Sequence, residues 1–461
     1  MVRMNPLFLL RTCGLSAIVS LTWQFCGQAY AAEAEWKVGV ASVKLTPDRP
    51  VPMAGYAART KPFEQVEADI FAKAMALEDA EGHRAVLVTS DLIGFRAAVA
   101  EGICARLSEK MGLKREQILL NSSHSHAGPA LAITPKSDDA ESLRTVEYTR
   151  KLQDHVVDVV VQALARMRPA RLSAGQGVVD FPMNRREFRP TGVILGVNAR
   201  GPADRSVPVL RVDSNDGSLQ SVLFGAGTHN TTLGGDNFRL CGDYAGFAQQ
   251  QVEEKLPGVT AMFMLGCAGD SNPYPRGTIA LARQHGATLG NDVCRVLDTT
   301  LRPVRGPLRI AFGQAALPLE PLPPRDELQR RAAGKTRYHP AGAQGLLAML
   351  NKGETPPSEY TCPFTVWQFG DDLTLVALPG EVVIDYLLML EKALGPNQLW
   401  VIAYSNDVFG YLPSARVLEE GGYETRGITA GGSGYFAPAA QDVVVSYVRQ
   451  LAQQAGRKAL P

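Results

Sequence analysis

The stretch Asn121 to Ala130, NSSHSHAGPA, sets His124 and His126 one residue apart in a chain with only seven histidines. It follows the apolar run Ile118-Leu119-Leu120 and closes on Gly128-Pro129, so it reads as a buried strand leaving into a loop. Two imidazoles in such a loop can face one cavity, one ring binding a cation and the other moving a proton. A third imidazole, His229, follows the apolar run SVLFGA within Gly227-Thr228-His229-Asn230. A carboxylate, Glu381, follows LTLVAL and Pro379-Gly380. Asp91, Asp270 and Asn272 stand at comparable exits. Imidazole nitrogens with a carboxylate oxygen, and one position left for water, are the usual donor set of hydrolytic zinc. One HxH pair is a weak signal, and agreement between several strand exits strengthens it. Asp91, Asp243 and Asp270 are expected as helix caps, turn formers or acceptors behind the ligands. His83, His155, His285 and His339 fall on turns, helix surfaces or a linker, where a solvated role is expected.

The elements that would position these residues alternate between strand and helix. WKVGVASVKLTP reads as a strand, and AKAMALEDAEGHRAVLVTSDL as a hairpin turning at Ala80-Glu81-Gly82 with Asp91 at its exit. Helical spacing runs from Gly102 to Met111 and again from Glu147 to Met167. VPVLRVDSNDGSLQSVLFGAG is a hairpin around Asn215-Asp216-Gly217. A helix follows in GDYAGFAQQQVEEKL, then the buried strand VTAMFMLGC, then a helix over about 279–301. LTLVALPG and QLWVIAYSND read as strands, with a helix starting at Glu381 between them and a terminal helix from about Pro438. Residues 319–359, rich in Pro, Gly, Arg and Lys, form an insertion, a linker or a small helical excursion. The alternation predicts an α/β fold, a layered mixed β-sheet core with flanking helices, its zinc site at strand-exit loops. Gly431-Gly432-Ser433-Gly434 lacks the strand-turn-helix setting of a nucleotide site.

Composition narrows the function. With 47 Lys and Arg against 46 Asp and Glu, the chain has no electrostatic footprint for nucleic acid, so binding must come from a local site. Residues 1–31 carry Arg3 and Arg11, an apolar stretch from Gly14 to Phe25 and the triplet Ala29-Tyr30-Ala31. They predict a signal peptide cleaved near Ala31 and a secreted or periplasmic protein. Cys104, Cys241, Cys267, Cys294 and Cys362 then remain, without CxxC spacing, and make neither a thiolate metal site nor a disulfide framework.

The motifs together resemble the neutral, non-lysosomal ceramidases. LLNSSHSHAGPA is similar to their THTHSGPG-type motif, and GTHNTTLGGDNFRLCGDYAGFA to the segment bearing their second zinc histidine. LGCAGDSNP parallels a Gly-Asp-Val-Ser-Pro loop and LPGEVV a Pro-Gly-Glu. GYLPSARVLEEGGYE and GSGYFAP resemble the closing tyrosine-bearing loops. The resemblance covers most of the chain from about Val38 to Pro438. It implies one zinc per chain, held by His124, His229, Glu381 and Tyr423. It makes His126 the acid/base beside the ion and Tyr435 the hydroxyl that stabilises the tetrahedral intermediate. The basic partner of that oxyanion would be Arg186 or Arg185 in FPMNRREF. Asn272 occupies the place of the family's serine, so a role for that serine does not carry over. The chain is expected to be a single catalytic domain over 36–455, without the immunoglobulin-like C-terminal domain of full ceramidases.

The implied reaction is cleavage of an N-acyl amide, in ceramide or a related N-acyl lipid, by attack of a zinc-bound water. The partner is then a small-molecule N-acyl lipid or amide, with transient contact at a membrane surface and no protein partner. Two alternatives compete with this reading. A barrel amidohydrolase needs its HxH pair near the mature N-terminus, which is not where it lies. A non-catalytic lipid- or glycan-binding relative is motivated by the altered Asp270-Ser271-Asn272 loop.

Overall fold

Side chains alternate between the two faces of a strand, and in the strand Phe71–Asp79 both faces are apolar. Ala72, Ala74 and Ala76 enter one core, while Met75 and Leu77 enter another. Arg84–Ser90 and Ile118–Ser122 divide the same way, with Val86, Val88, Ile118 and Leu120 on one side and Leu87 and Leu119 on the other. A sheet apolar on both faces must be covered on both, and the rest of the fold does this.

The computed structural model describes residues 35–428 and 434–458. The expected signal peptide and Gly431-Gly432-Ser433 lie outside them. Among the described residues the main sheet has nine strands. Their order is Thr260–Leu265, Leu219–Ala226, Ser206–Ser214, Arg168–Val178, Trp36–Lys44, Phe71–Asp79, Arg84–Ser90 and Ile118–Ser122, with Arg302–Val304 paired to Arg168–Val178. The pairs at its two ends are parallel and those between are antiparallel, so the sheet is mixed. A second sheet, Leu308–Pro318, Glu359–Phe369, Leu373–Ala377 and Leu399–Ile402, faces it across a core holding Met75, Leu87, Leu119, Met264, Trp367, Leu375 and Trp400. Helices Ala97–Met111 and Ala140–Ala165 cover one part of the outer face of the main sheet, and Asp243–Lys255 and Ile279–Leu297 another. Asp385–Leu394 and Ala440–Gln454 cover the second sheet. The architecture is the layered α/β arrangement expected, in the order helix, sheet, sheet, helix.

Several elements differ from the reading of the sequence or decide between its alternatives. The long helix begins at Ala140, where Asp139 caps it by accepting from the backbone N–H of Glu141 and Ser142. The segment 319–359 contains helices Arg325–Ala332 and Pro340–Asn351, whose Leu328, Ala343 and Leu346 pack with Tyr338, Leu418 and Tyr435 in a satellite core. Glu381 does not start a helix: it pairs with Tyr411 in a two-residue parallel ladder, and the helix begins at Asp385. His285 is buried rather than solvated, stacked on Phe181 with Nε2 at 2.7 Å from the Pro275 carbonyl. His339 caps the helix Pro340–Asn351. All five described cysteines are thiols, and burial holds the Cys267 thiol well above its ordinary range.

One polar side chain fastens the strand ends that matter here. Asn121, fully buried, accepts from Leu265 N (3.2 Å) and donates to Ala403 O (2.7 Å) and Ser405 Oγ (3.1 Å). It thereby draws the exits of Ile118–Ser122, Thr260–Leu265 and Leu399–Ile402 together.

Candidate metal centre

The loop after Ile118–Ser122 turns sharply because His124 has φ 59, a left-handed conformation that a residue with a Cβ adopts only where its surroundings hold it. The hold is a set of backbone bonds: Ser123 N to Ser90 O (2.8 Å), Ser125 N to Leu92 O (3.2 Å) and His126 N to Asn230 O (3.2 Å). Asn230 returns the link by donating to Ser123 O at 2.5 Å. The two histidine loops are therefore laced to one another.

His124 and His229 are 3% and 0% exposed. Nδ1 of His124 lies 2.5 Å from the Ile93 carbonyl, and Nδ1 of His229 lies 2.5 Å from the Ala268 carbonyl. A carbonyl can only accept, so each Nδ1 carries a proton and Nε2 is the nitrogen that each ring turns to the site. Both Nε2 atoms lie 3.1 Å from the same oxygen, Oε2 of Glu381. With both rings neutral, three acceptors converge with no donor between them, and a positive charge must close the cluster: a proton on each Nε2, or one divalent ion for both contacts.

His126 stands beside this pair, its ring 4.8 Å from that of His124 and 5.8 Å from that of His229. One ring nitrogen from each of the three histidines falls within 4.8 Å of the others, a grouping that could hold a metal ion. Both ring nitrogens of His126 are buried and without a hydrogen-bond partner. The ring packs edge-on against Tyr56, and a Cβ on Gly55 would fall 2.4 Å from it, so glycine leaves the space that the imidazole fills. Burial, then the neighbouring His124 and His229, lowers its pKa well below the ordinary range. Burial and the charge of Arg185 lower that of His229 to about 4. Burial disfavours the charged form of Glu381, but donation and positive charge from protonated His124 and then His229 outweigh it and hold its pKa well below the carboxylate range.

Arg185 is a buried cation whose charge reaches His126 and His229. Its guanidinium donates to Glu424 Oε1 (2.9 Å), to the Tyr411 hydroxyl (2.9 Å) and to Asn272 Oδ1 (3.3 Å). The Tyr411 ring stacks near His229 at 6.5 Å between centroids. Arg186 turns elsewhere, to Glu424 Oε2 (2.6 Å), Glu420 Oε2 (3.0 Å) and Gly421 O (2.8 Å). The strand Pro182–Arg189 shifts register between Asn184 and Arg186, and this bulge decides which arginine faces the histidines. Asp270 works behind the cluster: it accepts from Ile384 N (2.9 Å) and Asn184 Nδ2 (3.2 Å), fixing the segment after Glu381 against the arginine strand. Asn272 accepts from Thr231 Oγ1 (3.0 Å) as well as from Arg185. Asp91 and Asp243 accept backbone N–H groups, of Phe71 and of Leu233 and Tyr244, as expected of turn and cap residues.

The two remaining tyrosines named from the sequence are committed to other partners. Tyr423 lies one ring further out, 5.5 Å from Tyr411, and its hydroxyl accepts from Arg426 at 3.0 Å. Tyr435 is in the satellite core, where its hydroxyl donates to His339 O (2.8 Å) and accepts from Ala343 N (3.0 Å). Sequence reasoning missed Tyr404, Tyr411, Glu424 and the rim residue Tyr56. Tyr404 looked like the end of the apolar run WVIAY, and Glu424 like one loop carboxylate among several.

Residues 36–313, more than half of the chain, match the family described as neutral/alkaline non-lysosomal ceramidase, N-terminal. The comparison with curated proteins finds no match. Among solved structures the fold is similar to neutral ceramidase from Pseudomonas aeruginosa, with a TM-score of 0.71 and 18% identity over 93% of this chain and 76% of that one. It is similar also to a ceramidase complexed with C2, with a TM-score of 0.70 and 18% identity over 93% of this chain and 77% of that one.

Proposed function

The chain belongs to the neutral/alkaline non-lysosomal ceramidase family, and from that premise we propose that it is an exported zinc-dependent amidohydrolase cleaving the linear N-acyl amide of ceramide or a related lipid. The observation that carries the reading is the convergence of His124 Nε2 and His229 Nε2 on Glu381 Oε2, both at 3.1 Å, with both Nδ1 protons already given to carbonyls. That donor set fits zinc, which takes imidazole and carboxylate together. His124, His229 and Glu381 would hold the ion, which when bound polarises a carbonyl and supplies an activated water at neutral pH.

The chain's own groups do the rest. His126, neutral because burial and its neighbours disfavour the cation, has two unpartnered ring nitrogens with which to take a proton from water and return it to the leaving amine. Arg185, braced by Glu424, Tyr411 and Asn272, keeps a fixed positive charge beside the cluster, where negative charge grows on the carbonyl oxygen. Arg185 takes this part in preference to Arg186. Export is supported by the signal-peptide pattern of residues 1–31, and among the described residues no helix is long and apolar enough to cross a membrane. The likeness to ceramidase structures supports an N-acyl lipid as substrate.

The test is metal analysis of purified protein together with turnover of a fluorogenic N-acyl sphingosine, before and after chelation. Stoichiometric zinc and chelator-sensitive turnover are expected, and His124→Ala should lose both while remaining folded. Undiminished turnover by the metal-free protein, or none on any N-acyl substrate by the zinc-loaded protein, overturns the proposal.

A further inference from the structure

The strand that carries Arg185, Pro182–Arg189, turns at Pro190-Thr191 and returns as Gly192–Asn198. Only the base of this hairpin has a further neighbour, Ser271–Pro273, which pairs with residues 182–184. Beyond that base the ribbon carries apolar side chains in the open: Phe188 is 57% exposed, Leu195 48%, Ile194 43% and Val197 41%. The register pairs Phe188 with Val193 and Arg186 with Leu195. Phe188, Val193, Leu195 and Val197 therefore share one face, and Ile194 lies on the other. Scattered apolar side chains on a surface are ordinary, but four on both faces of one short hairpin mark a place of contact. The returning run Gly192-Val193-Ile194-Leu195-Gly196-Val197 has no polar side chain at all, where a half-solvated strand would alternate.

The stripe begins at the site. Phe188 is three residues, about 10 Å of strand, from Arg185. Val193 covers Gly422, the residue before Tyr423, so closely that a Cβ there would meet it at 3.1 Å. The charge on the hairpin is of one sign. Residues 188–203 include Arg189 and Arg200, both exposed, and no carboxylate, while Glu187 is paired with Arg189. We infer that this hairpin docks the protein on a lipid layer, its apolar tip entering the layer and Arg200 meeting headgroup phosphates. A protein partner or a second copy of the chain would cover one face of the ribbon, whereas an apolar medium covers both. The inference deepens the lipid-hydrolase reading above and rests on it for the substrate. Docking here sets the Arg185 strand, and with it the cleft beside His229, against the layer in which an N-acyl lipid lies.

The experiment mixes the protein with vesicles of phosphatidylcholine, alone and with phosphatidylglycerol added, and measures the bound fraction by sedimentation. Turnover is followed on an N-acyl sphingosine held in those vesicles and on a short-chain, water-soluble N-acyl analogue. Wild type should bind both vesicles, the anionic one more tightly and in a salt-dependent way. Phe188→Ser combined with Leu195→Ser should weaken binding on the order of 100-fold and slow turnover in vesicles in proportion. Its melting temperature and its turnover of the soluble analogue should match wild type. Arg200→Gln should weaken binding to the anionic vesicle alone. A wild type that binds neither vesicle overturns the inference, as does a double variant that binds like wild type, or a wild-type dimer that the double variant splits. If the double variant fails to fold, Phe188→Trp takes its place: its emission should shift to the blue on vesicles, and an unshifted band also overturns the inference. Failure of wild type on the soluble analogue overturns the hydrolase reading separately, because vesicle binding is read without turnover.

Discussion

Glu381 and Glu424 are both carboxylates turned away from solvent and held below the ordinary carboxylate range. Their surroundings are opposite in kind. Glu424 meets donors: Arg185 Nε on one oxygen at 2.9 Å and Arg186 Nη1 on the other at 2.6 Å. Its charge is balanced within the protein, and the arginines are tied down in turn by Glu420, Tyr411 and Asn272. Glu381 meets only two imidazoles, which are cations only while protonated. One region is a finished ion-pair knot. Its neighbour is a half-built one, which on the metal reading an ion from outside the chain completes.

Removing the charge should therefore have opposite effects in the two regions. Glu424→Gln leaves two buried guanidiniums short of a counter-charge and should cost about 3–5 kcal/mol, read as a fall in denaturant midpoint with or without metal. Glu381→Gln places an amide NH2 where Oε2 was, offering a donor to each Nε2 lone pair. Metal-free Glu381→Gln should melt above metal-free wild type, while its zinc affinity falls at least on the order of 100-fold. If both variants destabilise the metal-free chain alike, Glu381 sits in an ordinary ion-pair network and the distinction fails.

Acid should separate the regions next. The folded pKa of His229 lies near 4, below its ordinary 6.5, so the unfolded chain takes up a proton first as pH falls. Stability is then full above pH 6.5 and lost progressively down to about pH 4, at roughly 1.4 kcal/mol per pH unit, or about 3 kcal/mol in all. His126 shifts in the same direction. The depressed pKa of Glu424 has the same sign but acts below the ordinary carboxylate value, so its loss falls lower on the scale. Melting curves of chelated protein between pH 7 and 4 check this; a flat profile over that window would show that the imidazoles gain a proton in the folded chain as easily as in water.

The contrast also explains what could be read from the sequence. His124, His229 and Glu381 were legible because each follows an apolar run and interrupts it with a group that core packing does not want. The layered α/β fold was legible from the same runs. Which arginine faces the site was not, because one register shift between Asn184 and Arg186 decides it, and no residue there announces a bulge. Tyr404 was hidden by its own apolarity: at the end of WVIAY a tyrosine looks like one more core side chain, and only its bare hydroxyl and φ of 52 mark it out. For segment 319–359 the composition left an insertion, a linker and a small helical excursion open, because the two helices it holds need only a small satellite core for their apolar faces.

Arg185 belongs to both regions, so the smallest perturbation should act through it. Asn272 Oδ1 takes one of its arms at 3.3 Å and the Thr231 hydroxyl at 3.0 Å. In Asn272→Ser the shorter side chain cannot hold both groups, so that arm is released while Glu424 and Tyr411 keep the other two. A lost hydrogen bond to a charged group costs about 1.5–3 kcal/mol in full, and less where the freed arm reaches water. The expected result is a fall of roughly tenfold in kcat, with zinc stoichiometry, the acid profile and the melting temperature unchanged. The sign of the effect matters more than its size: a fall in KM-determined binding with kcat intact would place Arg185 on the bound lipid, in ground state and transition state alike, whereas a fall in kcat alone places its charge on the oxyanion that grows beside His229.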